Sequence, residues 1–260
     1  MFKIVSSFAT KLTMRRIFFF LPIAILLSVS CHSVQSVTSL QYTGYAIEKK
    51  DPVDSGMLHF LQPYATSMNV TMNKVIGFSN ETLSVKQPES GLGNLMADCI
   101  RDMAEKKFGK KVDAGFINQG GIRSYLAKGN ITVGKIFEIM PFDNLVVLQQ
   151  VKGSVFKAFL DKTAADGGWP MSAGISIGIK DKKAVEIMIA GKPLDENTVY
   201  TIANSDYVAN GGSNCEMLKS IPKQDMGYLL RDAIIEYISN ISSQGKPIEA
   251  KIENRVRNVN

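Results

Sequence analysis

The sequence predicts a single α/β domain preceded by an export leader, and three observations carry that prediction. Past residue 53 the apolar residues alternate between helical and strand spacing, with capping and turn residues at the changes. A hydrophobic fraction of 45% against 21% charged is that of an ordinary folded domain. The 260 residues, less a leader, suit one core, and no repeat, low-complexity block or second boundary divides them.

The leader accounts for most of the net charge. Residues 1–31 contain Lys3, Lys11, Arg15 and Arg16 and no acid, so they hold +4 of the formal +6. The remainder has no basic block or stripe, which argues against a nucleic-acid partner. From Met14, a second candidate start, the order is Arg15-Arg16, the apolar run Ile17 to Val29, then Ser30-Cys31. A basic segment followed by an apolar run too short to span a bilayer reads as a secretory signal. Its end, Leu27-Ser28-Val29-Ser30-Cys31, resembles a bacterial lipobox, with Cys31 the lipidated residue; ordinary signal cleavage beside an unmodified cysteine is the alternative. The expectation is an exported lipoprotein of the bacterial envelope, on the periplasmic side or at the outer membrane. Residues 32–50, rich in Ser, Thr and Gln, read as a tether, and the domain proper spans 51–260.

Within the domain, Asp54 caps a helix to Met68 that repeats Met57, Leu58, Leu61, Tyr64 and Ala65 at helical spacing. A strand follows at Lys74 to Phe78. Gly93-Asn94 opens the strongest helix, with Leu95, Met96, Cys99, Ile100 and Met103 on one face and Gly109 at its end. Asp113 to Ile117 is a buried strand. Thr132 caps a short helix to Ile139 that Pro141 stops. A strand at Leu145–Leu148, a helix at Ser154–Leu160, and strands at Ala184–Ile189 and Thr198–Ala203 follow, the last two joined by a turn. A final helix spans Met226 to Ser239. Cys99 and Cys215 are expected as separately buried thiols, although export permits a disulfide.

Three loops concentrate ligand-recognition chemistry. Asn118-Gln119-Gly120-Gly121-Ile122-Arg123 leaves a buried strand; its glycines allow positive φ and close approach, Arg123 offers a planar fork, and Asn118 a donor and an acceptor. A tight turn with a surface arginine fits the same composition. Pro141-Phe142-Asp143-Asn144 sets a rigid bend before a ring and an amide, and that ring reads either as core or as a stacking platform. Asn204-Ser205-Asp206-Tyr207-Val208-Ala209-Asn210-Gly211-Gly212-Ser213 repeats the pattern with a second ring. Together they describe a pocket for a flat polar ligand.

These blocks, with Gly93-Asn94-Leu95-Met96-Ala97-Asp98, Gly129-Asn130-Ile131-Thr132 and Gly191-Lys192-Pro193-Leu194, resemble the C-terminal domain of the 5'-nucleotidases over about residues 54–257. The resemblance implies a layered α/β/β/α sandwich that recognises the substrate. It implies that Phe142 and Tyr207 stack on a base, and that Asn118, Arg123 and Asn144 contact base, ribose or phosphate. Gly120, Gly121, Gly174, Gly211 and Gly212 would approach the ligand. The chain departs from the family at Pro88, near a usual arginine, at Ser213, in place of an acid, and at Tyr207, in place of the commoner phenylalanine.

The family's chemistry implies divalent metals on a separate metallophosphoesterase domain. His32 and His59 are the only histidines here, and no Ser-His-Asp or Cys-His set can be assembled. No catalytic residue and no cofactor are therefore expected in this chain. The leading reading is the recognition domain of a split 5'-nucleotidase, whose partners are a nucleoside or nucleotide-like molecule, a separately encoded metallophosphoesterase and, through the lipid, a membrane. The alternatives are a non-catalytic ligand-binding envelope lipoprotein and a scaffold with relic loops.

Overall fold

The structure, a computed structural model, describes residues 39–44 and 54–259. Residues 39–44 are exposed, without regular structure, and belong to the first of two units, Met1–Val53; the second, Asp54–Asn260, carries the fold. The leader, Cys31, His32 and most of the expected tether lie outside the described residues. Among the described residues no helix is long and apolar enough to cross a membrane.

Asp54 accepts the Met57 N–H at 3.0 Å and caps α1, Ser55–Met72. Strand β1, Val75–Ser79, pairs antiparallel with β3, Gly129–Thr132. Helix α2, Gly91–Phe108, starts at a Ser90 cap and ends on Gly109 in the left-handed region; its buried face includes Leu95, Met96, Cys99, Ile100 and Met103, as the periodicity required. Strand β2 is short, Ala114–Gly115, although the Asp113 and Phe116 N–H groups extend its pairing to the carbonyls of Thr201 and Ala203. Thr132 accepts the Lys135 N–H and caps α3, Val133–Ile139.

Strand β4 runs Leu145–Lys152, longer than expected, because the polar Gln149 is buried with its amide satisfied by the Leu218 and Ile221 carbonyls. Helix α4 is Gly153–Ala165, β5 Ile175–Lys180, β6 Lys183–Ile189, β7 Lys192–Pro193 and β8 Val199–Ser205. Two single-turn helices, α5 (Asp206–Ala209) and α6 (Glu216–Lys219), precede β9 (Lys223–Leu229), α7 (Leu230–Ser243) and β10 (Val256–Asn258). The expected final helix is corrected at its start: Met226 to Leu229 belong to β9. That edge strand is largely exposed and lacks apolar alternation, so only its antiparallel pairing with β4 reveals it.

The central sheet has the order β2-β8-β4-β9, and a second has β10-β5-β6-β7. One core joins α2, α3 and α7 to one face of the central sheet through Ile100, Ile136, Ile234 and Leu148. The other packs α4 and the second sheet on its opposite face through Phe116, Phe156, Phe159, Trp169 and Ile177. The result is the layered α/β arrangement expected. Cys99 sits in the first core and Cys215 in the second, both as free buried thiols. Burial pushes the Cys99 thiol well up and that of Cys215 to about 11, so both are unreactive near neutral pH.

Candidate functional site

Sheet topology brings the three loops together. Strands β2 and β8 are parallel, pairing Ala114 with Ile202 and Gly115 with Ala203, so both exit at the same end of the sheet. Strand β4 is antiparallel to β8, with Val146 opposite Ser205, and therefore enters at that end. The Asn118, Phe142 and Tyr207 segments thus meet where parallel strands finish, a recurrent ligand position in α/β folds.

They line one cavity of about 730 Å³, within the usual range for small-molecule sites, with Asn118, Gln119, Gly120, Gly121, Arg123, Phe142, Asn144, Tyr207 and Ser213 in its wall. In the first loop Gly120 and Gly121 form a single 3₁₀ turn with ordinary negative φ, contrary to expectation. What Gly121 supplies is space: a Cβ there would stand 2.8 Å from the Asn118 side-chain oxygen, which folds over it. Asn118 donates to the Ser213 hydroxyl at 3.3 Å and so ties the first loop to the third. Arg123 lies over the Phe142 ring, 5.9 Å from its centroid, and donates to the Gly120 carbonyl.

Phe142 is 39% exposed, which favours the stacking reading over the core one. Its loop is held from beneath by Arg231, which the sequence reading missed. That buried guanidinium pairs with Asp143 at 2.7 Å, donates to the Phe142 carbonyl and stacks on Phe137 at 4.1 Å. The Asn144 carbonyl accepts the Leu230 N–H, so the start of α7 fixes this loop too.

Tyr207 is 47% exposed on one side and clamped on the other. A Cβ on Gly212 would fall 2.6 Å from the tyrosine ring, so only glycine lets the ring lie on that backbone. The Tyr207 hydroxyl accepts the Ser213 N–H at 3.1 Å, an anchor phenylalanine lacks. Gly211 and Gly212 act by shaping this turn and do not themselves line the cavity. Asn204 is buried in the sheet against Gln149, and Asp206 accepts the Leu145 and Tyr207 N–H groups, so both are structural.

The remaining wall comes from Gln87, Asp166 and Trp169, none of them singled out in the sequence. The Gln87 amide donates to the carbonyls of Asp166 and Gly168 at 2.6 and 2.9 Å, while the Asp166 carboxylate holds Lys162 and the Trp169 N–H. Gly174 lies outside the cavity; its carbonyl accepts the Ala190 N–H at the start of β5. Gly167-Gly168-Trp169-Pro170 repeats the glycine-beside-aromatic composition of the other loops, and that signal pointed to the missing wall.

Arg123 and Asp166 are the charged members of the lining. Two exposed rings, one guanidinium, one carboxylate and several amides can hold a flat, hydroxyl-bearing ligand. Hydrolysis needs more. No group of three or more His, Cys, Asp or Glu placed to hold a metal occurs among the described residues, and His59 is exposed on α1. The described residues thus do not fit a dimetal centre.

Residues 69–220 match a model of the family described as 5'-nucleotidase, C-terminal domain. The chain is 24% identical over 220 residues to the trifunctional nucleotide phosphoesterase YfkN of Bacillus subtilis, covering 76% of this chain and 15% of that protein. It is 26% identical over 195 residues to a 5'-nucleotidase of Vibrio cholerae, covering 71% and 34%. Among solved structures, the 5'-nucleotidase precursor of Thermus thermophilus superposes with a TM-score of 0.67 at 25% identity, over 80% of this chain and 44% of that one. The chain therefore spans between about a seventh and under half of the length of these relatives.

Proposed function

Because this chain belongs to the 5'-nucleotidase C-terminal domain family, we propose that it is the nucleotide-recognition half of a split 5'-nucleotidase. The observation that carries the reading is the cavity where two half-exposed rings, Phe142 and Tyr207, meet Arg123, Asn118 and Asn144. The rings take the two faces of a base. Arg123, whose fork suits oxygens, takes phosphate or ribose, and the two asparagines take base or ribose edges. With Ser213 where the family carries an acid, Asp166 is the carboxylate left to meet sugar hydroxyls. A separately encoded metallophosphoesterase supplies divalent metals, attacking water and bond cleavage.

Calorimetry of the leader-free protein with AMP, adenosine and adenine tests the recognition step. AMP and adenosine are expected to bind, and Arg123→Ala should weaken AMP by about 1.5–3 kcal/mol, the value of a charge-assisted hydrogen bond, while moving adenine little. Absence of binding by every nucleoside and nucleotide of a four-base panel rejects the reading. The second reading, a binding lipoprotein without an enzymatic partner, is favoured by the uncharged Gln87, Pro88 and Ser213 beside the cavity. Nucleotide binding with no hydrolysis in the presence of the host's secreted phosphoesterases would select it.

Anchoring rests on the leader. Cys31→Ser is expected to move the protein from the membrane to the soluble fraction, since a serine hydroxyl cannot replace buried acyl chains. Unchanged partitioning in fractionated cells removes the anchor.

A further inference from the structure

Helix α1 presents a surface the recognition site does not use. Its eighteen residues include no Asp, Glu, Lys or Arg, and none of them is buried. Met57, Leu58, Phe60, Leu61, Tyr64, Met68 and Val70 are each 46–75% exposed. A helix that faces water ordinarily carries charge on its outer side, and a contiguous exposed apolar patch marks an interaction site. Met57, Leu61, Tyr64 and Met68 recur at steps of four, three and four, the spacing of anchors that seat a helix in a groove. Phe60 extends this stripe, its ring 6.0 Å from that of Tyr64. Its C-terminal end is tied to the domain, where Met72 packs on the first core and its carbonyl lies against Gly134 of α3.

Resting on the split-enzyme reading, we propose that α1 is the surface on which the separate phosphoesterase polypeptide docks. The family match begins at residue 69, so Ser55 to Met68 precede the matched domain. That model describes a C-terminal domain, so the rest of such a protein enters from the side of its first residue, and α1 stands at that junction. The Vibrio cholerae relative leaves about two thirds of its length uncovered by this chain. A polypeptide replacing that portion in trans meets the domain at α1, and the helix calls for an apolar groove with little charge. A membrane surface is a poorer occupant, because interfacial helices carry Lys or Arg on their polar face and α1 carries neither.

The test places a photo-reactive phenylalanine analogue at Tyr64 of the full-length chain, expressed in its source cells, and identifies the adduct by mass spectrometry. The expected product joins this chain to a protein bearing a metallophosphoesterase domain. With that protein purified, Leu61→Glu/Met68→Glu should lower nucleotidase activity of the mixture at least tenfold. The same variant alone should keep its melting temperature and its nucleotide affinity, because the stripe touches neither core nor cavity. An adduct of twice the chain's mass, adducts with lipid alone, no adduct, or full activity of the double variant overturns the docking surface. In those cases wild-type nucleotide binding still stands or falls by calorimetry, so failure at α1 is distinguishable from failure of the recognition reading.

Discussion

Asp98→Ala is expected to lower the melting temperature by roughly 6–20 °C, at about 2–4 °C per kcal/mol for a domain of this size and a loss of about 3–5 kcal/mol. The Arg255 guanidinium is buried and holds both Asp98 carboxylate oxygens at 2.8 Å. It also donates to the Met171 carbonyl, and Asp98 accepts the Ala173 N–H at 2.6 Å. Alanine leaves a buried cation short of its principal partner and orphans a backbone donor. Glu253 still reaches Arg255 at 2.7 Å, which places the loss toward the lower end. The double variant Asp98→Ala/Arg255→Met removes both charges and should recover part of the stability, since an apolar pair costs less than half an ion pair. Thermal melts of the two variants settle the point: equal melting temperatures would mean the pair is solvated in solution. Trp169, two residues before Met171, lines the cavity, so Asp98→Ala should also weaken ligand binding.

Where a segment's local signals agree with its tertiary surroundings, the sequence was a sufficient guide. Helix α2 shows this, with a serine cap, an apolar face at helical spacing and a glycine in the left-handed region at its end. The family resemblance was legible because its motif blocks are glycine- and proline-rich loops whose residue types are dictated by close backbone approach, as at Gly212 beneath Tyr207. Strand β9 was not legible. Lys223 to Gly227 face water, and its last four residues continue the spacing of α7, so only the hydrogen bonds to β4 separate strand from helix. The exposure of α1 was equally hidden, because an apolar stripe looks alike whether its partner is the domain or another molecule. Arg231 and Asp166 were missed for other reasons. Arg231 acts through contacts across the fold, with Asp143 and Phe137, whereas the Asp166 carboxylate bonds to its neighbours Lys162 and Trp169 and enters the site because the adjoining glycine-rich turn folds back onto the cavity wall.

The two rings decide whether the cavity is a base site. Phe142→Ala and Tyr207→Ala are each expected to weaken AMP binding by about 1–3 kcal/mol, roughly 5- to 150-fold in Kd. The double variant should lose less than the sum, since a base released from one face stacks less well on the other. Their effects on folding differ. Phe142 is substantially exposed and its loop is held through its backbone by Arg231, so truncation should cost about 1 kcal/mol or less. Tyr207 closes a turn in which Gly211, Ser213 and Asn214 all have positive φ, and its hydroxyl receives the Ser213 N–H. Tyr207→Phe keeps the stacking face and removes that anchor, so it should lose about 0.5–1.5 kcal/mol of stability, the net worth of one hydrogen bond. Its effect on AMP affinity should be smaller than that of Tyr207→Ala. Melts and calorimetry on the same preparations separate these terms. Should Phe142→Ala lower the melting temperature by 10 °C or more, on the order expected for a core ring, and leave AMP affinity unchanged, Phe142 is structural and the base site must be sought elsewhere.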